Sequence, residues 1–145
     1  MRIETLELLN KLKEKHGIKD KASGSFGKIV QKLLALSFHE MGFVNIVERG
    51  VQGVDIDMTL KPNEKYAVEV KTTEELKINV SSDNVLALKD RMRDGYFPII
   101  AVLRLAYFEN WRIAKVPEDN IPEGSNIEIS MLRRYRMKDF EEKLK

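Results

Sequence analysis

The chain has 145 residues, 43% of them apolar and 33% charged, with a net charge of +2, which suits one folded domain with its own core rather than a disordered chain. It has no cysteine and two histidines, His16 and His39, so a disulfide scaffold, a thiol nucleophile, cysteine-ligated zinc and a multi-histidine metal cage are all excluded. No apolar run is long enough to span a bilayer and no signal peptide is visible, so a cytoplasmic protein without membrane contact is expected.

Taken in order, "IETLELLNKLKEK" reads as an amphipathic helix that ends in "HGIKDKASGS". "SFGKIVQKLLALSFHEMGF" reads as a second helix, with Gly42 as its stop. "FVNIVER" is a short strand. "GVDIDMTL" alternates, with Ile56, Met58 and Leu60 on one face and Asp55, Asp57 and Thr59 on the other. "KPNE" is turn chemistry and "KYAVEV" returns, which makes a β-hairpin. "SSDNVLALKDRMRDGY" is a helix with Ser82 or Asp83 as its N-cap and Gly95 as its stop. "FPIIAVLRL" and "NWRIAKV" are strands, and "ISMLRRYRMKDFEEKL" is a closing helix. Two segments, "KDRMRDGY" and "MLRRYRMKDF", concentrate basic residues that could meet phosphates or simply face solvent.

Hairpin register decides where the charges go. A two-residue loop at Pro62 and Asn63 sets Ile56 against Glu69, apolar against charged. A five-residue loop centred on Asn63 sets Ile56 against Val70, Met58 against Val68 and Leu60 against Tyr66, and burial favours that parity. Asp55, Asp57, Glu69 and Lys71 then share one face. Adjacent carboxylates repel, and a hard divalent cation relieves the conflict with one or two carboxylate ligands plus water and phosphate. A solvated sheet face on which Lys71 neutralises one acid is the other reading.

"GVD", a turn and then "VEVK" resemble the PD-(D/E)xK nuclease superfamily, with Asp55 in the first acidic position and Glu69–Val70–Lys71 as the triplet. Within it the chain is most similar to archaeal-type Holliday junction resolvases, from about residue 23 onward. The resemblance implies an α/β, restriction-endonuclease-like mixed central sheet (an αβββαβ core) flanked by helices. It implies a single nuclease-like domain over 1–145, with an N-terminal helical extension at 1–22, the core at 23–116 and a C-terminal helix at 117–145. It also implies Mg²⁺-dependent hydrolysis of DNA phosphodiester bonds, with Mn²⁺ as a substitute, and branched DNA as partner. Asp55, Glu69 and the Val70 carbonyl would hold the metal. Asp57 competes with Asp55, which its "GVD" setting favours. Lys71 would orient the attacking water and stabilise developing charge.

Where the resolvases carry a glutamate early in the first core helix this chain has Gln31, which could orient the water or the metal shell. Asn84 stands nearest to their glutamine at the mouth of the later helix. Lys28, Lys89, Arg91 and Arg93, with Asn84, would contact the nucleic acid. A homodimer would suit symmetric junction cleavage. A restriction-like or repair nuclease with another substrate, or a non-catalytic nucleic-acid-binding module, are the alternatives on the same fold.

Overall fold

The computed structural model describes residues 25–48, 54–61, 64–104 and 111–144, and the expected helical extension at 1–22 lies outside them. In chain order the elements are α1 (Ser25–Glu40), β1 (Val44–Glu48), β2 (Ile56–Lys61), β3 (Glu64–Thr73), β4 (Lys77–Val80), α2 (Ser82–Arg93), β5 (Phe97–Arg104), β6 (Arg112–Lys115), β7 (Gly124–Glu128), a 3₁₀ helix (Ile129–Tyr135) and α3 (Lys138–Lys143). Five strands form a mixed sheet in the order β1-β2-β3-β5-β6. Only β3 and β5 run parallel within it, and α2 lies on the crossover that a parallel pair requires. This is the mixed sheet flanked by helices that the sequence led us to expect.

The central hairpin resolves a conflict between turn and core. β2 ends at Lys61, β3 begins at Glu64, and these two residues pair, so only two residues connect the strands. Continued unchanged, that register would set apolar side chains against charged ones. An irregularity between Thr59 and Lys61 shifts it, and beyond it Thr59 pairs with Lys65, Met58 with Tyr66 and Ile56 with Val68. The parity is the one burial demands. The expected five-residue loop and the pairing of Ile56 with Val70 are corrected, because a bulge lets a short turn coexist with matched faces.

The sheet has an apolar layer on each side. On one, Val30, Leu34 and Phe38 of α1, spaced by four, press on Ile56, Met58, Val68 and Ile99. The rings of Phe38, Phe43, Tyr66 and Phe140 meet edge-on at centroid distances of 5.4 to 6.5 Å. Fully burying one such side chain contributes about 1.5–3 kcal/mol. α1 stops at Gly42, whose φ of 101° a side chain would strain. On the other side, Val85 and Leu88 of α2 cover Ala67, Ile100 and Val102. A small second sheet, β4 with β7, joins this layer through Ile78, Val80 and Ile127. The sequence reading did not separate out these two short strands.

Two expectations are corrected. The N-cap of α2 is Ser81, not Ser82 or Asp83. Its hydroxyl accepts the Asn84 N–H at 3.1 Å while the Asn84 side chain accepts the Ser81 N–H at 3.0 Å, a reciprocal capping box. The C-terminal helix expected over 117–145 is instead β7, the 3₁₀ helix and a six-residue α3. The break falls at Arg136 and Met137. Arg136 is extended and bridges to Ala114, and the Met137 N–H donates to the Ile113 carbonyl at 2.7 Å. Bonding to the edge strand β6 there outcompetes helix continuation.

Buried Glu141 holds the break closed. It accepts the Ile113 N–H at 2.9 Å and the Arg136 guanidinium. The hydrogen bonds from Arg136 to Glu141 raise the Arg136 pKa above its ordinary value. Replacing Glu141 with alanine orphans both donors and should destabilise the fold by about 2 kcal/mol. Urea denaturation should show a lower midpoint at unchanged slope. An unchanged midpoint would mean that Glu141 does not anchor this segment.

Candidate functional site

Glu69 and Lys71 lie on β3, the central strand of the five-stranded sheet, and their side chains reach toward α2. Glu69 is buried, and the Lys71 ammonium lies 3.5 Å from its Oε1. Asn84 joins the two. Its Nδ2 donates to Glu69 Oε1 at 3.0 Å and its Oδ1 accepts from Lys71 Nζ at 2.8 Å. That same Oδ1 completes the capping box. The mouth of α2 is therefore fastened to the Glu-x-Lys strand through a single amide, which explains why an asparagine stands at this third helical position.

Asp55 sits on a bend just before β2. Its Oδ2 accepts the Val70 N–H at 2.7 Å, and its backbone carbonyl accepts Gln31 Nε2 from α1 at 3.0 Å. These bonds set the Asp55 carboxyl beside that of Glu69. Burial, and then the negative charge of Asp55, push the Glu69 pKa up to about 8, against the pull of Lys71. Burial also raises Asp55, opposed by the Val70 N–H and by Lys71. Glu69 Oε2 is buried and meets no donor among the described residues, and the Asp55 and Glu69 carboxyls hydrogen-bond to each other through the proton that one of them holds.

Of the residues singled out from sequence, the structure thus brings together Asp55, Glu69, Lys71, Gln31, Asn84 and the Val70 backbone. It gives Asp57 and Arg91 other work. Asp57 is buried and accepts Arg91 Nε at 3.2 Å. Arg91 also binds Asp94 at 2.9 Å and lies 4.1 Å from the centre of the Tyr96 ring. Arg91 follows Asn84 by seven residues, two turns along the same side of α2. Asp57 and Arg91 thus pair with each other in a contact that docks the helix, apart from the Asp55–Glu69 pair. Lys89 and Arg93 are exposed, and their spacing from Asn84 turns them about 140° and 180° round the helix. Arg93 pairs with Asp90 at 3.3 Å. Lys28 is exposed one turn before Gln31.

Among the described residues no group of three or more His, Asp or Glu side chains forms a metal cage. Two carboxyls and one carbonyl are a smaller set, and they suit a hard cation that keeps several waters. A strand residue sends its N–H and C=O to the same edge, so the Val70 carbonyl points to the Asp55 side with its N–H. The Glu69 oxygen that meets no donor among the described residues and the raised proton affinity of the pair both mark a place where positive charge is favoured. Sequence reasoning placed Asn84 at the nucleic acid and missed its grip on Glu69 and Lys71. The available signal was Ser81 followed three residues later by Asn84, directly after the Glu-x-Lys strand.

No family model matches the chain, and no curated protein does. Among solved structures it is similar to that of Archaeoglobus fulgidus Hjc, a Holliday junction resolvase from an archaeal hyperthermophile, at 21% identity and a TM-score of 0.59, covering 75% of this chain and 89% of that one. The likeness establishes the fold, a restriction-endonuclease-like mixed sheet flanked by helices. No described helix is long and apolar enough to cross a membrane.

A folded-state pKa raised from 4.5 to about 8 means that the native chain holds a proton which the unfolded chain gives up. In a chelating buffer, the stability that Glu69 contributes should therefore be fully present below about pH 4.5 and be lost as pH rises toward about 8. Glu69→Gln should flatten that fall. Thermal unfolding across this range checks it, and parallel curves for the two proteins would contradict the assignment.

Proposed function

We propose that the chain is a divalent-metal-dependent endonuclease that hydrolyses DNA phosphodiester bonds, with branched junctions as its substrate. The observation that carries this reading is the acidic pair: a buried and a half-buried carboxyl held together, one buried oxygen with no donor to it among the described residues, and an ammonium alongside. Surfaces with only a structural role rarely keep such a conflict, whereas sites that bind cations require it.

Asp55, Glu69 and the Val70 carbonyl would hold Mg²⁺, with Mn²⁺ as a substitute. The ion would supply charge against a phosphoryl oxygen and acidify water for attack. Asp55 and Glu69 would give up the proton they share when the ion enters. Lys71 would donate to the attacking water or to the phosphate as charge develops there, from a position fixed by Asn84 Oδ1 and Glu69 Oε1. Asn84 is a positioning residue, and Gln31 fixes the backbone that carries Asp55. Junction selectivity is carried over from the solved structure named above, a Holliday junction resolvase. A homodimer would place two such sites for paired cuts.

Gln31 favours one second reading. Its amide donates to the Asp55 carbonyl, a bond that an ionised glutamate in its place could not make. A non-catalytic nucleic-acid-binding module on this fold would keep that bond and lose turnover. The purified chain, given Mg²⁺ and four-way junctions, flaps or linear duplexes, should nick the junction fastest. Glu69→Ala and Lys71→Ala should each lower the rate by about 10²-fold or more with DNA binding retained. Absence of cleavage with Mg²⁺ or Mn²⁺ would install the binding module, and faster cutting of linear duplex would move the substrate to a restriction-like or repair nuclease.

A further inference from the structure

A second set of basic side chains gathers beyond Lys71 on the same side of the sheet. Residues paired across neighbouring strands share a face. Lys71 pairs with Val102, Val102 pairs with Arg112, and Arg104 follows Val102 by two residues. Lys71, Arg104 and Arg112 therefore all project from the side that α2 covers. There the 3₁₀ helix brings Ile129, Ser130 and Arg133 beside them, with Arg136 just past its end, around an open recess of about 380 Å³. Among its described lining residues four are arginines and none is acidic. An adjoining cavity of about 560 Å³ shares Ser130 and Arg133 and adds Arg134 and Tyr135.

Guanidinium groups concentrated in a recess match phosphate oxygens, which they grip in pairs. Position argues for a phosphate within a chain rather than a free one. Arg112 lies two strands from Lys71, about 10 Å at the usual strand spacing. Nucleotides advance by about 3.4 Å per step along a duplex, so the recess lies about three steps away.

We propose that the recess lined by Arg104, Arg112, Arg133 and Arg136 is a phosphate subsite, holding the nucleic-acid backbone a few nucleotides from the bond at the Glu69–Lys71 site. The inference rests on nucleic acid being the ligand, as proposed above. It gives the "MLRRYRMKDF" segment, left open by the sequence, a definite task. Arg136 is itself held by Glu141, so its donors to a ligand are the ones that Glu141 leaves.

The test is fluorescence anisotropy of the full chain with labelled duplex and four-way junction, in chelator so that no bond is cut, over a range of salt. Arg133→Gln is the first variant because Arg133 is exposed and its loss leaves the core intact. Arg104→Gln is the second. Each should weaken binding several-fold, independently of sequence, and lower the slope of log affinity against log salt by about one. Unchanged affinity and slope in both variants would overturn the subsite. So would competition by inorganic phosphate that vanishes in Arg133→Gln while DNA affinity stays the same, since the recess would then serve a free anion. A changed slope in a chain that cleaves nothing supports the subsite and removes the nuclease reading. An unchanged slope in a chain that cleaves removes the subsite alone.

Discussion

Carboxylates packed side by side away from water repel, and the fold sets Asp55 against Glu69 in such a place. Neighbouring contacts contain that repulsion without abolishing it. The Val70 N–H steadies Asp55, while Lys71 and Asn84 take one Glu69 oxygen and leave the other without a donor among the described residues. The pair therefore keeps a proton well above the ordinary carboxylate range. The proposed chemistry needs the pair to exchange that proton for a divalent ion.

The rest of the structure secures this pair in different ways on its two sides. On the α1 side the contacts are mainly apolar and aromatic, with the Gln31 bond to the Asp55 carbonyl as the polar addition. On the α2 side two polar clamps stand two turns apart: Asn84 on Glu69 and Lys71, and Arg91 on Asp57. A shift of α2 along its axis would break both. Hydrogen bonds to charged groups out of water are costly to lose, so the helix is fixed in register as well as in position. The sheet thus combines one layer built for stability with another that places charges.

Much of the site was legible in the sequence because strand parity is a strong rule. Alternation put Glu69 and Lys71 on one side, and matching apolar faces brought the Asp55 end of β2 to them. Parity does not fix the pairing, however: a one-residue bulge between Thr59 and Lys61 restores the matched faces after a two-residue turn, and the partners fall two residues from the expected ones. The Asp57–Arg91 pair was not legible, because sharing a face does not set a neighbour and Arg91 lies on a helix whose docking only tertiary structure reveals. The C-terminal segment was misread for a related reason. Its helical pattern yields at Arg136 to bonds with β6, a strand distant in sequence. The short strands β4 and β7 stabilise each other by pairing, which neither local sequence announces. The arginine recess was invisible for the same cause, since its walls come from β5, β6 and the 3₁₀ helix.

The central claim is that the Asp55 and Glu69 carboxyls are shaped to share a divalent ion. Crystals soaked in Mn²⁺ and measured at its absorption edge test it directly. An anomalous peak between the two carboxyls, within bonding distance of the Val70 carbonyl, is the predicted result. A difference map without a peak there, or one whose ion sits on other acids while Glu69 stays turned into the protein, would contradict it.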